Sequence, residues 1–156
     1  MGFPKHYFAY NPNDPSPLIA ETRRRVRFEE IDALGMVWHG RYPSYFEDGR
    51  IAFGDQYGLT YPVFRENNVK APIVQMHFDF KGSLRFDETM KIETTLHWCD
   101  AVRLDFSYRI INQKGELSTT GYTIQLLTDL NDTVLFVAPE WLQEFRKNWR
   151  NGVWSK

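Results

Sequence analysis

The sequence predicts an α+β domain: an antiparallel sheet of about five strands wrapped around a long central helix, with a short C-terminal helix. Three observations carry that prediction. Residues 42–57 repeat apolar side chains at spacings of three and four, the mark of a helix with a broad buried face. Four later segments alternate apolar with polar residues, as strands do. The links between those segments are too short for anything but antiparallel neighbours.

Composition sets the outer limits. A chain of 156 residues is one ordinary domain, long enough to bury roughly two-thirds of its unfolded surface. With 42% hydrophobic and 25% charged residues it reads as folded and globular. A net charge of -1 excludes the basic field of a general nucleic-acid binder, so no nucleic-acid partner is expected. The single Cys excludes a disulfide framework and a Cys-based zinc site, and a reducing, cytoplasmic setting is the simplest reading. Aromatic residues reach 16%, which suits core, interface and pocket lining alike.

The elements follow in order. Residues 1–18 form an arm without a signal-peptide run, and no stretch of the chain is apolar for the roughly 20 residues a membrane span needs. Gly2 does not start a myristoylation motif, because position 6 is His6. Phe3, Tyr7, Phe8 and Tyr10 suggest that the arm docks on the body, which spans 19–150, with a tail at 151–156. From Ile19 to Ile31, Val26 and Phe28 alternate against Arg25 and Arg27, as on a strand with one wet face. A loop from Asp32 to Gly40 comes next. Pro43 suits the first turn of a helix from Tyr42 to Tyr57, which Gly58 ends. Its stripe is Tyr42, Tyr45, Phe46, Gly49, Ala52, Phe53 and Tyr57, with Gly49 and Ala52 small enough for close approach. Strands are expected over Ile73–Lys81, Met90–Cys99, Val102–Ile111 and Gly121–Leu130. A closing helix over Pro139–Trp149 starts with Glu140 and ends near Lys147 and Arg150, in line with its dipole.

Residues 26–58 are the most informative. An aspartate follows a strand, a glycine comes three residues later, and an apolar pair leads through a short turn into the buried helix. Through Asp32, Gly35, Val37, Trp38, His39, Tyr42, Glu47 and Arg50 this segment resembles the 4-hydroxybenzoyl-CoA thioesterase family of hot-dog-fold acyl-CoA thioesterases. The fold-level likeness runs from roughly Ile19 to Trp149; the motif covers this segment alone, and the arm has no counterpart.

The resemblance implies a role for each position. Asp32 matches the family's catalytic carboxylate, as nucleophile on the thioester carbonyl or as general base for water. The amides of His39 and Gly40 match the oxyanion donors, where a helix start offers unpaired N–H groups and a positive dipole end. Some members carry Tyr where His39 stands and others His. Gly35, Val37, Trp38, Gly40 and Tyr42 would line the substrate site. Glu47 is the reserve catalytic carboxylate, since other hot-dog thioesterases use a glutamate on this helix. No metal or other cofactor is implied. The implied substrate is an acyl- or aroyl-CoA, and the implied assembly is a homodimer or a tetramer of dimers with sites between subunits.

Other readings stand beside these. Asp32 also suits a plain turn cap. His39 also suits a packed or solvent-facing position. Glu47 and Arg50, three apart, also suit an ion pair, and a Glu next to Phe46 on a mostly buried helix needs a partner. Gln75, His77 and Asp79 on one strand face read as polar surface or dimer contact rather than as metal ligands. Arg23, Arg24, Arg25, Arg41, Lys81, Arg85 and Arg103 are available for the phosphates of coenzyme A, with no P-loop present. A thioester on acyl carrier protein, or non-catalytic binding of an apolar ligand, are the competing functions.

Overall fold

A computed structural model describes residues 6–155. Strand β1 (Leu18–Arg25) is followed by a 3-10 turn at Phe28–Glu30 and another at His39–Arg41. Helix α1 (Tyr42–Tyr57) then runs over the predicted range and stops at Gly58. A short α2 (Tyr61–Glu66) leads to β2 (Ile73–Phe80), β3 (Thr89–His97), β4 (Arg103–Ile111), β5 (Leu117–Leu126) and the closing α3 (Glu140–Arg150). The sheet order is β1-β3-β4-β5-β2, and every neighbouring pair is antiparallel.

Alternation decides which side of each strand meets α1. Met90, Ile92 and Leu96 on β3, and Leu104, Phe106, Tyr108 and Ile110 on β4, point inward and are buried. Tyr45, Phe46 and Phe53 of α1 are fully buried against them. Phe46 stacks on Tyr108 at 4.0 Å and on Phe78 at 4.7 Å. Each such side chain contributes about 1.5–3 kcal/mol by leaving water. The helix comes this close because position 49 is glycine: a Cβ there would lie 2.2 Å from Thr94 Oγ1. Helix α3 closes one end, with Trp149 edge-on to Trp98 at 5.0 Å.

Three expectations need correction. The first strand does not run on to Ile31. Arg24 shares the inner face with Leu18 and Ala20, and the Glu30 carboxylate accepts from the Arg27 amide at 2.8 Å, folding 28–30 into a turn. Val26 is buried as expected, but Phe28 is 80% exposed. Strand β5 starts at Leu117, earlier than predicted, because Ser118, Thr119 and Thr123 bury hydroxyls on a strand whose polarity hides it. Helix α2 was not expected; Pro62 opens it.

The arm docks on the outer face of the sheet, as its aromatics suggested; Phe3 lies outside the described residues. The Tyr7 hydroxyl donates to Asp79 and sits 2.6 Å from Thr120 Oγ1. The Phe8 ring lies 5.1 Å from His97. Farther along the arm, the Ser16 carbonyl accepts from Trp149 Nε1 at 2.8 Å.

Candidate active site

A tight turn joins the two 3-10 segments. Ile31 and Val37 bridge, the Asp32 amide donates to the Met36 carbonyl at 2.8 Å, and Gly35 takes φ +77°, where a side chain would strain the backbone. Asp32 Oδ1 accepts from the Leu34 amide at 2.8 Å and from Met36 at 3.4 Å. Asp32 therefore does cap its own turn, but with one oxygen only. Among the described residues Oδ2 accepts no hydrogen bond.

The far end of the turn feeds α1. The Val37 amide donates to the Leu84 carbonyl at 2.9 Å, and the Trp38 amide to the Glu30 carbonyl at 2.9 Å. Val37 is buried, so its side chain anchors the turn, while Leu34 and Trp38 leave much of their apolar surface in solvent. The Arg41 amide bonds back to Trp38 at 2.9 Å, whereas the amides of His39 and Gly40 meet no acceptor among the described residues. A Cβ at position 40 would lie 2.3 Å from the ring of half-exposed Trp38, so any larger residue needs that ring to shift. The His39 imidazole is exposed and leans on Trp38 at 5.1 Å between ring centres.

Tyr42, the first residue of α1, is buried. Burial holds its phenol above the ordinary range, the hydroxyls of Ser118 and Thr119 partly oppose this, and the charges of Glu88 and Asp32 add to it. The Asp32 carboxylate is thus within electrostatic reach of the Tyr42 hydroxyl, on the first side chain of α1. One carboxylate oxygen without a partner, two amides without acceptors and a helix start are what acyl transfer uses: negative charge to act on a carbonyl, and N–H groups for the oxyanion.

Glu47 lies elsewhere. It is exposed on the flank of α1 and makes no ion pair with Arg50, whose Nη1 donates to the Tyr108 hydroxyl at 3.1 Å. Of the readings left open for Glu47, the single chain shows a solvent-facing position, because residue 47 falls beside rather than on the Phe46 stripe. Glu47 borders two clefts, neither of which Asp32 or His39 lines. One, of about 370 Å³, is walled by Ile51, Leu59, Phe64, Leu104 and Phe106. The other holds Arg23, Arg25, Phe28 and Phe86.

The buried carboxylate near the turn is Glu30, only 2% exposed, which sequence reading did not single out. Its signal was Arg24: an inward-facing arginine on a strand needs an acid. Several cations proposed for phosphate are otherwise engaged. Arg24 pairs with Glu30 and Asp48, Arg25 with Asp87, and Arg103 with Asp105, while Arg41 donates to the Glu29 carbonyl. Arg85 lies against the turn itself, its Nη1 donating to the Gly35 carbonyl at 3.3 Å. His77 and Asp79 pair at 3.0 Å beneath Tyr7, and among the described residues no group of three His, Cys, Asp or Glu converges as cation ligands. No helix is long and apolar enough to cross a membrane among the residues described.

Residues 26–145 match the model of the thioesterase-like superfamily. YneP of Bacillus subtilis, named as a candidate acyl-CoA thioesterase, is 27% identical over 111 residues, 71% of this chain and 80% of its own. The acyl-CoA thioester hydrolase YbgC of Escherichia coli is 23% identical over 67% of this chain and 78% of its own. Among solved structures, the DHNA-CoA thioesterase of Staphylococcus aureus superposes with a TM-score of 0.77 at 25% identity, covering 88% of this chain and 95% of that one.

Proposed function

The chain belongs to the thioesterase-like superfamily, and on that premise we propose that it hydrolyses an acyl- or aroyl-CoA thioester with Asp32 as the working carboxylate. Thioester hydrolysis follows from the family and the relatives. The atomic roles rest on one observation: the unpartnered Oδ2 of Asp32 stands at one end of a turn whose other end carries the acceptor-free amides of His39 and Gly40.

In this reading the thioester carbonyl oxygen takes the two amides, which stabilise it as charge builds; one such donor is worth about 100- to 1,000-fold in rate. Asp32 attacks the carbonyl carbon or removes a proton from the attacking water, and coenzyme A leaves as its thiolate, later protonated by solvent. Isotope content after one turnover in ¹⁸O water bears on the two routes: direct water attack labels the acid at once, whereas an anhydride opened by water at the Asp32 carbonyl leaves the first label in Asp32. Trp38, Leu34 and Tyr42 border the acyl group, and Arg85 is the cation best placed for phosphate. The unpaired outer edge of β2, with Ile73, Val74 and Phe80 exposed, supports a dimer or a tetramer of dimers in which a second copy completes the crevice.

The test is thiol release from a panel of alkyl and aryl CoA thioesters, and from the same acyl groups on acyl carrier protein, by wild type and Asp32→Asn. Asparagine keeps an oxygen for the Leu34 and Met36 amides and removes only the charge. Turnover by wild type and a large loss in the variant support the reading; equal turnover by both discards Asp32. Binding of acyl-CoA without release by wild type discards hydrolysis.

A further inference from the structure

We infer that Glu30, gripped by Arg24, is a positioning residue for this reaction, holding the Asp32 turn and the His39 and Gly40 amides in one frame with helix α1. The inference rests on Asp32 being the working carboxylate.

The contacts form a short chain across three elements. Arg24 comes from β1, and its Nη2 meets Glu30 Oε2 at 2.7 Å. Its Nη1 meets Asp48 Oδ2, on the second turn of α1, at 2.5 Å. The guanidinium also lies over the Tyr45 ring of α1, 4.8 Å from its centre. Burial works against its charge, yet the two carboxylates outweigh burial and raise its hold on the proton. Glu30 uses its other carboxylate oxygen on the Arg27 amide and its carbonyl on the Trp38 amide, at 2.8 and 2.9 Å. Asp32 is two residues beyond Glu30, and His39 is one beyond Trp38. One residue therefore grips both strands of the turn at its base, just where the carboxylate and the amides emerge.

Stability does not explain this arrangement well. Removing a carboxylate and a guanidinium from water costs more than an apolar pair of similar size would, so a buried ion pair is a poor way to strengthen a core. It is a good way to fix a direction, because the planar guanidinium accepts few geometries. The reaction needs such fixing, since an error of about 1 Å between reacting groups can cost about 100-fold in rate.

The test is kinetic, on a CoA thioester that wild type hydrolyses. Glu30→Gln keeps the size and an acceptor for the Arg27 amide while removing the charge that Arg24 holds. A folded Glu30→Gln protein is expected to lose about 10- to 100-fold in kcat with KM within threefold. Placed on top of Asp32→Asn, the same change is expected to cause less than its full loss, because part of it acts through Asp32; two independent effects would multiply. A folded Glu30→Gln protein with kcat within twofold of wild type, or losses that multiply, overturns the inference. Should Glu30→Gln not fold, Asp48→Asn on the surface of α1 is read instead: a severalfold fall in kcat supports the inference, and an unchanged kcat overturns it. An Asp32→Asn protein as active as wild type sinks the site reading itself; a dead Asp32→Asn beside an unimpaired Glu30→Gln sinks this inference alone.

Discussion

Asp32 and Asp79 are both half-buried aspartates, and they differ in how fully the chain's own groups satisfy their carboxylates. Asp79, on the outer face of the sheet, accepts from the Tyr7 hydroxyl and pairs with His77 Nε2 at 3.0 Å. The Tyr7 hydroxyl holds it below the usual carboxylate range; burial opposes this, and His77 helps. Its partners are all present in one chain. Asp32 uses one oxygen on its own turn, and among the described residues its other oxygen accepts no hydrogen bond. The histidines divide in the same way. His97 is inset against Ser107 at 2.7 Å and the Phe8 ring, whereas His39 stands in solvent without a hydrogen bond among the described residues. Among the described residues, Asp79 and His97 have partners on the outer face, while Asp32 Oδ2 and the His39 side chain have no hydrogen bond.

Substitutions can break or sharpen that contrast. The largest effect is expected at the carboxylates themselves. Asp32→Asn should lower kcat/KM by about 100- to 10,000-fold with little change in melting temperature. Asp79→Asn should do the reverse, losing stability while hydrolysis holds within a few-fold; thiol release and thermal melts on the pair decide. Gly40→Ala should come next, because its new methyl meets the Trp38 ring and displaces the amide beside it. A fall of about 10-fold or more in kcat is expected, from a protein that still folds. Tyr7→Phe should cost about 1 kcal/mol in urea denaturation, the net worth of its lost hydrogen bonds, and leave kcat unchanged.

The smallest effect is one of pH. Burial, and then the charge of His6, lower the His97 pKa from its ordinary 6.5 to about 4. The unfolded chain therefore binds a proton at this position between those values and the folded chain does not. Stability from this residue is full above pH 6.5 and is lost as pH falls toward 4. The urea midpoint should drop over that window in wild type and drop less in His97→Gln. An equal drop in both would remove His97 from the account of the outer face.

Much of this was legible in the sequence, for physical reasons. Helix α1 was readable to its ends because Tyr45, Phe46, Gly49 and Phe53 keep helical spacing between Pro43 and Gly58. Strand β4 was readable because apolar and polar residues alternate from Leu104 to Ile110, even though Asp105 is buried. Strand β5 began too late in the reading, since Ser118 and Thr119 bury hydroxyls that look like surface. The site divided the same way. Asp32, His39 and Gly40 could be proposed together because one local turn joins their segment. Glu47 lies one residue of helical phase from the buried Phe46, which puts it on the exposed flank of α1. The Arg24–Glu30–Asp48 chain joins residues up to 24 apart, and no local pattern announces a contact of that span.

The most direct measurement is a crystal structure with an unreactive thioether analogue of an acyl-CoA. The account predicts its carbonyl-mimicking oxygen about 3 Å from the His39 and Gly40 amides, with Asp32 Oδ2 facing the adjacent carbon. An analogue seated along α1 beside Glu47, with those amides still open and Asp32 facing only solvent, would contradict it.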